Sequence, residues 1–214
     1  MHKSSCGSIV LDMTRDERPA RPSPDPAHGV RTITDAKALS AMANPFRSRM
    51  MDALKVDGPS TASGLAARTG QAVGSASHHL KVLAEAGLVA EAPELAKDRR
   101  ERWWRLVDPG TRWSRADFAS DTAAVTAAYA AEALTVQRQF ERVQEWNGNA
   151  ATVPDWDDAA FATQHWLRLS PDELRVVAEE VVDVLLRWSR REVPDDGVER
   201  ESVFVFARGF PAQP

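Results

Sequence analysis

The stretch from Val73 to Val89, VGSASHHLKVLAEAGLV, constrains this chain more than any other. Ala76, Leu80, Leu83 and Ala84 recur at helical spacing and predict one buried stripe. Gly74, Ser75, Ser77, His78 and Lys81 lie off that stripe, near the helix start. Gly87 follows, able to take the left-handed conformation that ends a helix, and Leu88-Val89 open an extended segment. Small hydroxyl and imidazole groups on a helix's first turns donate and accept hydrogen bonds without steric bulk, which suits a major groove. An ordinary surface helix could carry the same residues, so the neighbouring segments decide between the two.

Upstream, Thr34 is a good N-cap for a first helix that carries Leu39 and Met42 inward. Asn44-Pro45 ends that helix and starts another, Asn as cap and Pro at the first helical position, where its missing N–H costs nothing. Phe46, Met50, Met51 and Leu54 then form an apolar face, broken by Gly58-Pro59. Ser60 or Thr61 caps a short third helix holding Leu65 and Ala66 inside and closed by Gly70. Only a few residues separate it from the helix at Val73, so the pair is a candidate helix-turn-helix. After Val89 the period changes. Leu88–Pro93 and Arg102–Val107 read as two short strands around a tip with Lys97, Arg99 and Arg100. A basic hairpin directly after such a helix would be a wing, its cations contacting phosphates for register and salt-sensitive affinity.

Net charge is −4, which taken alone speaks against nucleic acid. Its distribution does not. Thr32 to Val107 holds 11 Lys/Arg against 8 Asp/Glu, or +3, whereas Gly148 to Pro214 holds 7 against 13, or −6. A mildly basic half is joined to an acidic one. Nothing approaches the roughly 18 apolar residues of a membrane span, and the single cysteine, Cys6, can form no internal disulfide. A cytoplasmic protein without membrane partners is expected.

The pieces NPFRSRMMDAL, LAARTG, SHHLKVLAEAGLV and RRERWWRL, in that order and spacing, resemble the winged helix-turn-helix of ArsR-type bacterial transcriptional regulators. The resemblance covers Thr34 to Val107, a third of the chain. It implies a homodimer on double-stranded DNA reading an inverted repeat, with Gly74, Ser75, Ser77 and His78 at bases and Lys81, Arg99 and Arg100 at phosphates. Lys97 and Arg102 of the wing are further expected DNA contacts. Arg47, after the Asn-Pro pair, and Thr61, at the start of the third helix, would join the DNA contacts. Metal-sensing members tie recognition to a cysteine pair in the third helix. The matching positions here are Thr61 and Ser63, which supply no thiolate for a soft metal. Adjacent His78 and His79 point about 100° apart on a helix and chelate one ion poorly. Neither a metal nor a cofactor is expected.

Trp113 to Trp146 reads as one long helix, about 50 Å at 1.5 Å per residue. Phe118, Val125, Tyr129, Val136, Phe140 and Val143 form its stripe, and Ala123–Ala133 holds seven alanines in eleven residues. Packing within its own domain or a dimer interface shared with Leu39 of the first helix would each use this surface; the dimer is favoured. Beyond a polar linker, His165–Leu169 and Val203–Ala207 read as strands. Between them Ser170-Pro171-Asp172-Glu173 is a capping box opening an amphipathic helix.

The expected fold class is mainly α with a small β component. It comprises a tail over 1–31 too poor in aliphatic residues to order, a winged helix-turn-helix over 32–110, and a long dimerisation helix over 111–147. A linker over 148–160 and a small α+β unit over 161–214 complete it. That last unit, two strands and a helix, is too small to stand alone and must dock on something. Trp146, Trp156, Trp166 and Trp188 are either core or the lining of a small-molecule effector pocket. Two other functions compete with a DNA-binding repressor. One is a partner-binding module whose winged helix has lost DNA affinity, which the acidic half would suit. The other is an enzyme, but no nucleophile–base spacing, phosphate loop or metal cluster supports it, and Asp172-Glu173 is accounted for by the helix cap.

Overall fold

The computed structural model describes residues 30–98 and 100–213. The predicted tail over 1–31 lies outside them except for Val30 and Arg31, which open a strand rather than continue a tail. This strand, β1 (Val30–Thr32), pairs in parallel with β5 (Gly110–Arg112), Val30 opposite Gly110. Sequence reading missed the pair because three-residue strands carry too little periodicity to register.

Five helices and a small sheet build the first half. α1 (Ala36–Met42) starts one residue later than expected: Asp35, not Thr34, is its cap, the carboxylate accepting the Ala38 N–H at 2.7 Å. α2 (Pro45–Val56) is capped by Asn44, whose Oδ1 accepts from the Phe46 and Arg47 amides. α3 (Ala62–Thr69) is capped by Thr61 and closed by Gly70 at φ 67°, a left-handed value that glycine adopts without a Cβ penalty. α4 (Val73–Glu85) buries Ala76, Leu80 and Leu83 and leaves Ala84 half-buried. β2 (Ser60–Thr61), β4 (Trp103–Leu106) and β3 (Val89–Glu91) form an antiparallel sheet with β4 central, Val89 opposite Leu106. The predicted wing is this β3–β4 hairpin.

The core gathers Ile33, Leu39, Met50, Leu65, Leu80 and Leu83, each essentially free of solvent contact, with Trp104 and Phe118 at its margin. α5 (Thr122–Asn149) lies across α1 and buries Ala124, Ala128 and Ala131 there. Small side chains let the two helices approach closely. The alanine run therefore serves packing inside the protomer.

The long helix begins nine residues later than predicted. Trp113 to Asp121 holds only a 3₁₀ turn at Arg115–Phe118, and Asp121 caps α5 by accepting from the Ala123 and Ala124 amides. Beyond α5 a short α6 (Pro154–Ala159) occupies the predicted linker, and α7 (Pro171–Arg190) follows with its capping box closed in both directions. His165–Leu169 and Val203–Ala207 are not strands. Neither segment finds a ladder partner among the described residues, and a segment without one is not a strand of a sheet. The α+β description of residues 161–214 is thus corrected, over the described residues 161–213, to one helix flanked by chain without regular secondary structure.

Candidate nucleic-acid interface

α4 turns two unlike faces outward and inward. Ala76, Leu80 and Leu83 point into the core. Gly74, His78 and Lys81 lie on the opposite side and are exposed, while Ser75 and Ser77 sit half-buried on its flanks. A Cβ built on Gly74 would meet nothing within 4 Å, so the first turn presents open space rather than a neighbour. Lys81 forms no ion pair among the described residues, whereas Glu85, further along, is held by Lys37 at 3.5 Å. The exposed end of the helix is its N-terminal half, where backbone N–H groups and the dipole favour negative charge.

Three elements hold α4 at this angle. α3 packs beside it across the turn at Gly70. At its far end, the Arg31 guanidinium donates to the Gly87 carbonyl at 2.5 Å. Gly87 has φ 65°, and a side chain there would crowd that guanidinium at 3.2 Å. Between them, His79 stacks on Phe46 of α2, ring centroids 5.9 Å apart, and Arg49 lies over the other partner of that stack. Arg31 escaped sequence reading because it falls at the end of the predicted tail; the β1–β5 pairing brings it across.

The remaining predicted contacts divide. In the wing, Lys97 and Arg100 are exposed, and the turn between them is ordered by its own carboxylates. Asp98 accepts the Arg100 and Glu101 amides, and Glu101 accepts the Lys97 amide at 2.8 Å. That backbone bond is the chief reason the Glu101 carboxyl lies below its ordinary pKa. Arg99 lies outside the described residues. Arg102 is committed to Glu91, which raises its pKa, and lies over the Trp104 ring. Arg105 is likewise taken by Glu94. Arg47 also departs from expectation. Its Nε and Nη2 donate to the Ala41 and Ser40 carbonyls at 2.6 and 2.9 Å, closing the end of α1, and burial lowers its pKa. Its fork is spent on the protomer's own backbone. Thr61 spends its hydroxyl capping α3 at the Gly64 amide, 3.1 Å, and shares a bond with Ser63 Oγ at 2.9 Å.

The predicted dimer stripe divides too. Leu39 and Phe118 are enclosed by their own protomer, at 0% and 4% exposure, and have no surface to offer a second copy. Val125 is half-buried against the same core. Tyr129, Val136 and Phe140 are exposed along α5, with Val143 beside them. An ionic cluster that sequence reading missed fixes the far half of this helix to α2. Asp52 accepts from Arg138 at 2.6 Å and Arg142 at 2.5 Å, and Arg138 also donates to Ser48. These partners stand about ninety positions apart, and no local pattern marks such a pairing.

Two of the open cavities among the described residues have volumes of about 540 Å³ each. One is lined by Arg112, Trp113, Glu132, Gln139 and Arg208, the other by Leu54, Pro59, Arg105 and Val107 among others. Trp146, Trp156, Trp166 and Trp188 line neither. They are not core either: the last three are exposed and Trp146 is half-buried.

Residues 42–92, from the end of α1 through α4 and β3, match the family model of a helix-turn-helix domain. This segment carries a helix-turn-helix. The match takes in α2, α3, α4 and the first strand of the wing. No curated protein matches the chain. Among solved structures the chain is similar to a double mutant of ZitR from Lactococcus lactis in its apo form. Identity is 16%, over 67% of this chain and 81% of that one, with a TM-score of 0.29. No described helix is long and apolar enough to cross a membrane.

Proposed function

We propose that the chain is a cytoplasmic, homodimeric transcriptional repressor of the ArsR type that reads an inverted repeat in double-stranded DNA. The observation that carries this reading is the outward face of α4. Gly74, His78 and Lys81 project from a helix-turn-helix whose inner face is fully committed to the core. Gly74, Ser75, Ser77 and His78 would meet base edges; Lys81, Lys97, Arg99 and Arg100 would meet phosphates. Arg47, Thr61 and Arg102 act at one remove, by fixing α1, α3 and the wing. The exposed stripe Tyr129, Val136 and Phe140 would supply the dimer contact on α5. A two-fold pair of α4 helices then meets successive major-groove turns about 34 Å apart. The cavity between β5 and α5 is where a small-molecule effector would bear on both the domain and the dimer helix.

A mobility-shift titration on DNA selected from random duplexes tests this. The selected sites should be palindromic, and affinity should fall roughly 10³-fold between about 50 and 200 mM salt for about six phosphate contacts. Arg100→Ala should weaken binding to all sequences alike and lower the salt slope by about one, whereas Ser75→Ala or His78→Ala should change base preference. Salt-insensitive affinity, or no binding at low salt, would leave the acidic partner-binding module as the reading.

A further inference from the structure

α7 is an amphipathic helix with the middle of its apolar face open. Gly209 approaches Leu174 at its start, and Ser189 faces α2 and β4 across a cavity at its end. Leu174, Val177, Val181, Val184 and Trp188 recur at steps of 3, 4, 3 and 4, the spacing of a two-helix seam. No residue of the helix is buried; Val181 is 37% exposed, Val184 44% and Trp188 62%. α2 and α4, by contrast, close their apolar faces on the core of their own protomer.

Charge selects the occupant. From Asp172 to Asp183 the helix carries five carboxylates and one arginine, and that arginine, Arg175, is paired with Asp172. From Val184 to its cap at Arg191 it carries three arginines and no carboxylate. A parallel copy would set like charges together along the whole seam. An antiparallel copy sets the acidic first turn of each helix, Asp172 and Glu173, against the arginines at the end of the other. It does so twice, because the arrangement is its own two-fold mate.

We propose that α7 packs antiparallel against α7 of a second copy, crossing near Val181 and making a dimer contact separate from α5. This deepens, and for its second copy rests on, the homodimer of the proposed function, but it is read out without DNA.

Cysteine cross-linking of the full chain in a Cys6→Ser background tests it. Under mild oxidation Val181→Cys should give a covalent dimer. Leu174→Cys and Trp188→Cys should not do so alone but should cross-link when mixed. Fourteen residues separate these two positions, about 21 Å of helix, far beyond the roughly 7 Å that a disulfide spans between Cα atoms. Self-cross-linking of Leu174→Cys would show a parallel pair and overturn the proposal, as would the absence of any cross-link. Independently, Arg187→Glu should weaken the dimer about tenfold in sedimentation equilibrium, since two symmetry-related attractions become repulsions. Adding Glu173→Arg should restore it, and an unchanged dimer in the single variant would also overturn the proposal. Mobility shifts on the same samples separate the two readings. Lost DNA binding with intact cross-links strikes only at the regulator, and lost cross-links with intact DNA binding strike only at α7.

Discussion

The two halves of this molecule differ in what they bury. Among the described residues every buried hydrophobic one lies between Ile33 and Ala131, and from Glu132 to Gln213 no residue whose side chain is described is buried. Both halves are rich in apolar residues; the second displays Phe161, Trp166, Trp188, Val203 and Phe206 to solvent. Ordering a residue costs about 1–2 kcal/mol in backbone entropy alone, which the first half offsets with a closed core and the second does not. The second half has the patterning of folded protein without the partner surface that would close it. A helix-turn-helix can fold on its own account, whereas an amphipathic α7 needs something laid against it.

Leu80→Ala gives the largest test of that contrast. Leu80 has no solvent exposure, and its truncation should cost about 2–5 kcal/mol in urea unfolding. Val181→Ala, measured at a concentration where the chain is a monomer, should shift the same transition by no more than about 0.5 kcal/mol. Equal costs would mean that α7 is buried on its own protomer and the contrast is false.

Asp52→Ala probes the seam between the halves. Its carboxylate serves both Arg138, whose side chain is only 12% exposed, and Arg142, whose guanidinium also lies over Phe204 of the C-terminal segment. Burial already holds Arg138 below the ordinary arginine pKa, with Asp52 opposing that shift. Removing the acceptor should cost about 1–3 kcal/mol. Amide exchange should quicken across the far half of α5 and leave α4 unchanged. Protection lost equally in α4 would show that the two halves unfold as one unit.

Ser170→Ala is a smaller lever, confined to the second half. Ser170 accepts the Glu173 amide and Glu173 returns the bond to the Ser170 amide, which also draws the Glu173 carboxyl below its ordinary pKa. Loss of the cap should cost α7 about 1 kcal/mol, seen as faster exchange in its first turn with no change in the melting of the helix-turn-helix. A shift in that melting would tie α7 to the core after all.

Legibility follows the same line. Local signals were readable where they were sufficient: Asn44-Pro45, Thr61, Gly70 and Gly87 set helix ends by their own backbone chemistry, and the elements from α2 to β4 follow from them. The Gly74, His78 and Lys81 face could be read because a helix period fixes which residues point away from its stripe. The misreadings came where a local pattern had to guess its distant partner. Ala124 and Ala128 could have served either a second copy or α1, and only the fold shows that α1 takes them. Leu39 and Phe118 failed as interface residues for the same reason. Arg47 and Arg102 look like DNA contacts in the sequence because their carbonyl and carboxylate partners are invisible to composition. His165–Leu169 and Val203–Ala207 have strand patterning, but a strand is a relation between two segments, and patterning supplies only one of them.

The smallest predicted effect belongs wholly to the first half. His79 Nδ1 is enclosed without a hydrogen-bond partner among the described residues, and its ring lies on Phe46. Burial, then Arg47 and His78, hold its pKa below the ordinary 6.5. The unfolded chain therefore binds this proton more readily than the folded one. Stability is fully present above about pH 6.5, declines as pH falls through the interval down to the lowered folded value, and levels off below it. Urea midpoints between about pH 7.5 and 5 should show this decline, and His79→Phe, which keeps the stack on Phe46 and removes the titration, should flatten it. His78→Ala should retain most of the decline, because it removes only the weakest of the three causes. A decline unaltered by His79→Phe would place the acid sensitivity elsewhere, and the exposed carboxylates that α7 and its flanking chain present would then be the first groups to replace.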